Sequence, residues 1–214
     1  MQIDLENKLV IPVPKDFRKT ALIYKDRGIT YSELIERAKE YARFMEILPG
    51  EIVVICAENR PEWIYALFGV WQRGGTVAPI DFLSSKREIE YILKETQPSI
   101  VVCSDKTEEK LKEVLSSLNI KSKVLNVDRA IPPKPVEHIM SRDFHDIALI
   151  LYTSGTTGEP KGVMLSFKNI VSNILGVERL KVASKKTPRW QSFPFITPTL
   201  WWFPCFCPSI LELR

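Results

Sequence analysis

Leu151-Tyr-Thr-Ser-Gly-Thr-Thr-Gly-Glu-Pro-Lys-Gly162 sets three glycines, four Ser/Thr hydroxyls and one lysine within twelve residues. It continues Ile147-Ala-Leu-Ile-Leu151, an apolar run of strand length, so the glycine-rich segment is expected at the end of a buried strand. Glycine tolerates positive φ and lets backbone come close to a ligand. Successive N–H groups in such a turn converge on an anion, and hydroxyls add donors. The lysine supplies a point charge suited to a phosphate. The chemistry favoured by these residues is the holding of a polyphosphate. The order is not Walker A, because Glu159-Pro160 separates Gly158 from Lys161. It is not Gly-x-Gly-x-x-Gly either, since no glycine lies two residues from Gly155. Composition alone also allows an ordinary Ser/Thr/Gly surface loop between a strand and a helix; the fixed order of glycines, proline and lysine argues against it.

Strands and helices alternate on both sides of this segment. Thr30-Tyr-Ser-Glu33 reads as a capping box opening a helix, with Leu34, Ala38 and Met45 at helical spacing and Leu48-Pro-Gly50 as its stop. Ile52–Cys56, Thr76–Ile80, Ser99–Cys103 and Lys123–Val127 are short runs rich in β-branched residues and are expected to be strands. Between them Glu62–Gln72, led by Pro61, Ser85–Thr96 and Thr107–Leu118 are expected to be helices. Ser166 is expected to cap a further helix running to about Leu180. The alternation predicts an α/β fold with a mostly parallel sheet flanked by helices. In such sheets ligands bind beyond the carboxyl ends of the strands, where the glycine segment falls.

Composition excludes several functions. The chain has 214 residues with 45% hydrophobic and 26% charged, values of a globular protein with room for a core. The +4 net charge comes from interspersed residues, with no basic stripe to suggest nucleic acid. Runs such as Lys106–Glu113 read as a solvated helix face. No stretch is long and apolar enough for a spanning helix and the first residues are not those of a signal peptide, so a cytoplasmic location is expected. Cys56 and Cys103 fall in apolar strands and are expected to be reduced core residues. His138 and His145 have no partner at ligand spacing, and no metal site is expected.

The string Tyr152 to Val163 resembles, without a gap, the phosphate-loop signature of the adenylate-forming superfamily: acyl-coenzyme A synthetases, luciferases and peptide-synthetase adenylation domains. Gly28-Ile-Thr-Tyr-Ser-Glu-Leu34, Asn59-Arg-Pro-Glu-Trp63 and Gly69–Pro79 resemble three earlier blocks of that family, so that the likeness runs from about Lys15 to about Lys186. It implies that residues 1–186 are the first part of the large N-terminal domain of an adenylate-forming enzyme. It implies a reaction of a carboxylate with ATP giving an acyl-adenylate, followed by transfer to coenzyme A, with Mg2+ as the expected ion. A fatty acid is the first expectation for the carboxylate. By the same resemblance Thr153, Ser154, Gly155, Thr156, Thr157 and Gly158 would wrap the β- and γ-phosphates, and Lys161 would neutralise the leaving pyrophosphate. The adenine-contacting segments and the C-terminal domain of the family come later than this chain, so no complete catalytic set is expected and the chain is expected to be inactive alone. A non-catalytic module binding a nucleotide or a partner is the alternative.

Residues 187–214 are expected to be an aberrant tail. Pro188–Arg214 hold three of five tryptophans and five of fifteen prolines but no glycine, lysine or aspartate, which rules out a regular helix or central strand. Back-translating from Trp190 and reading in the frame that starts at the third base of each codon allows a sequence that resembles the family's continuation. A shifted frame near Thr187 is therefore expected, and it would leave Cys205 and Cys207 without function.

Overall fold

The computed structural model describes residues 16–129, 143, 145–153, 160–179 and 211–213, with backbone only for 174–179 and 211–213. Its main sheet has six strands. In chain order these are β3 (Ile52–Cys56), β4 (Thr76–Pro79), β5 (Ile100–Cys103), β6 (Lys123–Asn126), β7 (Ile147–Thr153) and β8 (Lys161–Ser166). Their order across the sheet is β6-β5-β3-β4-β7-β8. The first five are parallel and β8 is antiparallel to β7. The expected α/β fold with a mostly parallel sheet is what the chain forms.

Period-2 alternation along the strands builds two cores. Val53 and Ile55 of β3 face one side with Val77, Ile100 and Val102. There they meet α1 (Tyr31–Phe44), α2 (Pro61–Gln72) and α5 (Phe167–Arg179). Val54 and Cys56 face the other side with Ala78, Val101 and Cys103, under α3 (Lys86–Thr96) and α4 (Asp105–Ser117). Burial on both faces explains why these strands read as continuous apolar runs.

The helix signals hold with two amendments. Ser85 and Glu88 form a full capping box on α3. Thr30 accepts from the Glu33 backbone N–H at 3.2 Å, but the Glu33 carboxylate pairs with Arg27 at 2.6 Å, so the box on α1 is half made. Ser166 does cap α5, with Asn169 in the place of the usual acid: Asn169 N–H donates to Ser166 Oγ at 3.3 Å, and Ser166 N–H donates to Asn169 Oδ1 at 3.0 Å.

A second sheet was not expected. β1 (Thr20–Tyr24) and β2 (Arg27–Thr30) form an antiparallel hairpin, and β9 (Leu211–Leu213) pairs with β1 in parallel. The hairpin turn is Lys25-Asp26, both at positive φ (47° and 64°). Two-residue turns of this kind favour Asn-Gly or Asp-Gly, so Lys-Asp gave no warning. Among the described residues, no helix is long and apolar enough to cross a membrane.

Candidate functional site: a hairpin at the carboxyl edge of the sheet

The glycine segment was expected at the end of a buried strand, with the next expected element the helix capped by Ser166. The segment instead joins two antiparallel strands. β7 and β8 run as a hairpin with Leu149↔Leu165, Leu151↔Val163, Tyr152↔Gly162 and Thr153↔Lys161 in register. Thr153 and Lys161 are therefore the last pair of the stem. The Thr153 hydroxyl reaches the Lys161 carbonyl at 3.5 Å, at the limit of a hydrogen bond. Ser154, Gly155, Thr156, Thr157, Gly158 and Glu159 lie outside the described residues. The structure thus fixes the two ends of the expected phosphate loop, opposite each other at the carboxyl end of β7. β8 was missed because it opens on Lys161-Gly162, which continues the loop composition, and glycine is an unfavourable strand residue.

The base of β7 is tied down from several sides. Trp71 of α2 donates its indole N–H to the Ala148 carbonyl at 2.9 Å, and Thr76 at the start of β4 donates its hydroxyl to the Ile147 carbonyl at 2.8 Å. The Trp71 ring meets Phe167 of α5 edge-on, with centroids 5.2 Å apart. Phe167 N–H donates to the Asp146 carbonyl at 3.1 Å, which closes the start of α5 onto the start of β7. Higher on the strand, Tyr152 is half-buried and meets Tyr91 of α3 at 6.5 Å, nearly perpendicular. Burial pushes its phenol up to about 12, so the ring is neutral at physiological pH. Lys161 is exposed, and no carboxylate among the described residues pairs with it. Among the described residues it therefore has no acidic partner, which fits an anionic ligand.

The same edge carries a polar network that sequence reading missed. It joins the carboxyl ends of β3, β5 and β6. Arg60 bridges Glu62 and Asp128, and the Asp105 backbone N–H donates to Asp128 at 2.8 Å. Asn126 donates to Asp105 at 2.8 Å and to Glu108 at 2.7 Å, and Arg129 and Lys112 also bind Glu108. Thr107 donates its hydroxyl to the Cys56 carbonyl at 2.7 Å. Lys106–Glu113 is therefore not wholly a solvated face: Thr107, Glu108 and Leu111 are buried, Lys110 is half-buried and donates to the Ser84 carbonyl at 3.0 Å, and Lys106, Glu109, Lys112 and Glu113 are exposed. Hydrogen bonds from Lys112 and Asn126 hold the Glu108 carboxyl below the usual range. Every charge in this network has a protein partner, so it reads as a structural lock.

Cys56 and Cys103 are buried and free, in register on β3 and β5, and burial pushes both thiols up to about 12. His145 is exposed; His138, Cys205 and Cys207 lie outside the described residues. No group of three or more His, Cys, Asp or Glu among the described residues could hold a metal.

The fold and hairpin define a doubly wound α/β domain with a glycine loop at the carboxyl edge of its sheet. The family described as AMP-binding enzyme matches residues 13–208. The chain belongs to that family, the adenylate-forming enzymes. Bacitracin synthase 3 of Bacillus licheniformis is 33% identical over 177 residues, covering 78% of this chain and 3% of that protein. Among solved structures, ATP-bound MatB from Rhodopseudomonas palustris superposes with a TM-score of 0.80 at 24% identity, covering 94% of this chain and 43% of that one. O-succinylbenzoate coenzyme A synthetase from Bacillus subtilis, in complex with ATP and magnesium ion, gives 0.77 at 22% identity, covering 92% and 54%. The chain thus spans about half or less of the length of these relatives. The family match also extends past Thr187 into the proline-rich tail.

Proposed function

We propose that this chain is the nucleotide-gripping first part of an AMP-forming ligase that activates a carboxylate with ATP. The observation that carries the reading is the hairpin, which sets Thr153 against Lys161 at the carboxyl edge of the sheet with a Ser/Thr/Gly loop between them. Backbone amides and hydroxyls of Thr153, Ser154, Gly155, Thr156, Thr157 and Gly158 would hold the β- and γ-phosphates. Lys161 would balance the charge that builds on pyrophosphate as it leaves. In the reaction a carboxylate oxygen bonds to the α-phosphorus and the bond from that phosphorus to the pyrophosphate oxygen breaks. A thiol, coenzyme A in the first reading, then attacks the acyl carbon and AMP departs. Mg2+ bound to the phosphate oxygens would supply further charge neutralisation.

The substrate belongs to the same proposal. A fatty acid was the first reading, and the fold likeness to coenzyme A ligases is in keeping with acyl transfer to a thiol. Likeness to bacitracin synthase 3 supports a second reading in which the carboxylate is an amino acid. We also propose that residues 187–214 are read out of frame; composition supports this, while the family match to residue 208 overlaps the same stretch.

The test is MgATP binding by the 214-residue chain, its Lys161→Ala variant and its Glu159→Ala variant, measured by calorimetry. Loss of one charge-assisted contact costs roughly 1.5–3 kcal/mol, or about 10- to 150-fold in affinity. Lys161→Ala should lose that much, with Glu159→Ala staying within about twofold of the parent. Equal affinities for all three proteins would remove Lys161 from the site.

A further inference from the structure

The stem of the hairpin has a built-in support that the phosphate-loop reading does not use. Tyr152 stands directly opposite Gly162 across β7 and β8. A Cβ added at Gly162 would lie 3.2 Å from Ile150 Cγ2 and 3.2 Å from both Cε1 and Cζ of the Tyr152 ring. Such contacts are tighter than packed carbon atoms normally allow, so the ring covers the bare glycine backbone closely. The same ring meets Tyr91 of α3 edge-to-face, with the planes at 83°. Tyr91, Ile150 and Tyr152 all pack against the core under α3 and α4. One ring is therefore touched from β8 and from α3 at once. It is the residue immediately before Thr153, and Gly162 is the residue immediately after Lys161.

We propose that Tyr91, Tyr152 and Gly162 form a clasp that fixes the hairpin stem to α3 and so aims the loop between Thr153 and Lys161. These are positioning residues, acting through Thr153 and Lys161. The purpose of the clasp rests on the function proposed above, but its existence does not. Gly162 is then required because the ring occupies the space of a side chain. The phenol oxygens contribute nothing to the clasp; the rings do.

Trypsin cleavage of the native 214-residue chain at the Lys161–Gly162 bond, followed by mass spectrometry, reads stem opening without any ligand. Cleavage of a folded chain follows the population of the locally open form. Tyr152→Ala, Tyr91→Leu and Gly162→Ala should each speed this cut by roughly 3- to 10-fold, the range for loss of one aromatic contact. Cleavage after Lys112 in α4 should not change, whereas a merely global loss of stability would raise both. Tyr152→Phe and Tyr91→Phe keep the rings and should match the parent. The double variant Tyr152→Ala with Gly162→Ala should open less than the two single accelerations multiplied together, since the methyl then meets only Ile150 Cγ2 and no ring. Should Gly162→Ala fail to fold, Tyr91→Leu carries the same test with both strands intact. Unchanged cleavage at Lys161, or equal acceleration at Lys112, overturns the clasp. Added MgATP should slow the Lys161 cut in the parent; a cut indifferent to MgATP counts against the nucleotide reading and leaves the clasp to stand or fall on the variants.

Discussion

Gly69→Ala puts two opposing effects in direct competition. Gly69 lies inside α2, where alanine is the better helix former by about 0.8–1.0 kcal/mol. If propensity decided, the variant would be more stable. The added Cβ, however, would lie 2.8 Å from Tyr41 Cβ, 2.9 Å from the Ala42 nitrogen and 3.0 Å from the Ala38 carbonyl oxygen. Two of those three atoms are backbone of α1, which cannot swing aside as a side-chain tip could. The helices must separate, and overpacking of this kind costs about 1–3 kcal/mol. With α1 backbone in the way the upper part of that range applies, leaving a net loss of about 1–2 kcal/mol after the helix gain. For a chain of this size that is about 2–8 °C in Tm. Thermal unfolding followed by far-ultraviolet circular dichroism reads it directly. A Tm equal to or above the parent's would mean that α1 does not pack on Gly69. The first core would then be wrongly built, and with it the support beneath β7.

Two further outcomes follow from the same geometry. Trp71→Phe keeps an aromatic ring against Phe167 but leaves the buried Ala148 carbonyl without its indole donor. It should cost about 1–3 kcal/mol in urea unfolding and raise amide exchange in β7; unchanged stability would detach α2 from β7. The carboxyl network makes the fold acid-sensitive. Glu108 is held low by Lys112 and Asn126, and for Asp128 burial pushes upward but the Asp105 N–H and Arg60 outweigh it. A folded value below the unfolded one adds stability that is complete above the ordinary values of 4.5 and 3.8, and that is lost as pH falls through the lowered ones. Stability should therefore be flat from pH 7 to about 5 and drop below that, with a shallower drop in Glu108→Gln. An equally steep acid limb in that variant would place the sensitivity elsewhere.

Much of the fold was legible because local signals agreed with one another. Ser85 with Glu88, Pro61 at a helix start and the β-branched runs at Ile52 and Ile100 each mark one element without help from the rest of the chain. What escaped depends on contacts between distant segments. The β1–β2 hairpin turns on Lys25-Asp26, which carries none of the usual turn chemistry. Glu108 reads as one more charge on a helix and is buried only because Asn126 and Arg129, about twenty residues on, come back to meet it. For the site, the motif gave the place at a strand end, and its composition is what suggests the polyphosphate proposed above. It did not give β8, because Gly162 looks like more loop until Tyr152 is seen across from it. Gly69 was legible as part of a family block, but its reason, the approach of α1, is a tertiary fact.

Backbone amide NMR during titration of the 214-residue chain with MgATP tests the central claim most directly. Shifts should concentrate at residues 153–162, with the largest at Gly155, Thr156, Thr157 and Gly158, and should vanish when AMP replaces ATP at equal concentration. Shifts that leave this segment untouched while ATP binds elsewhere would contradict the account.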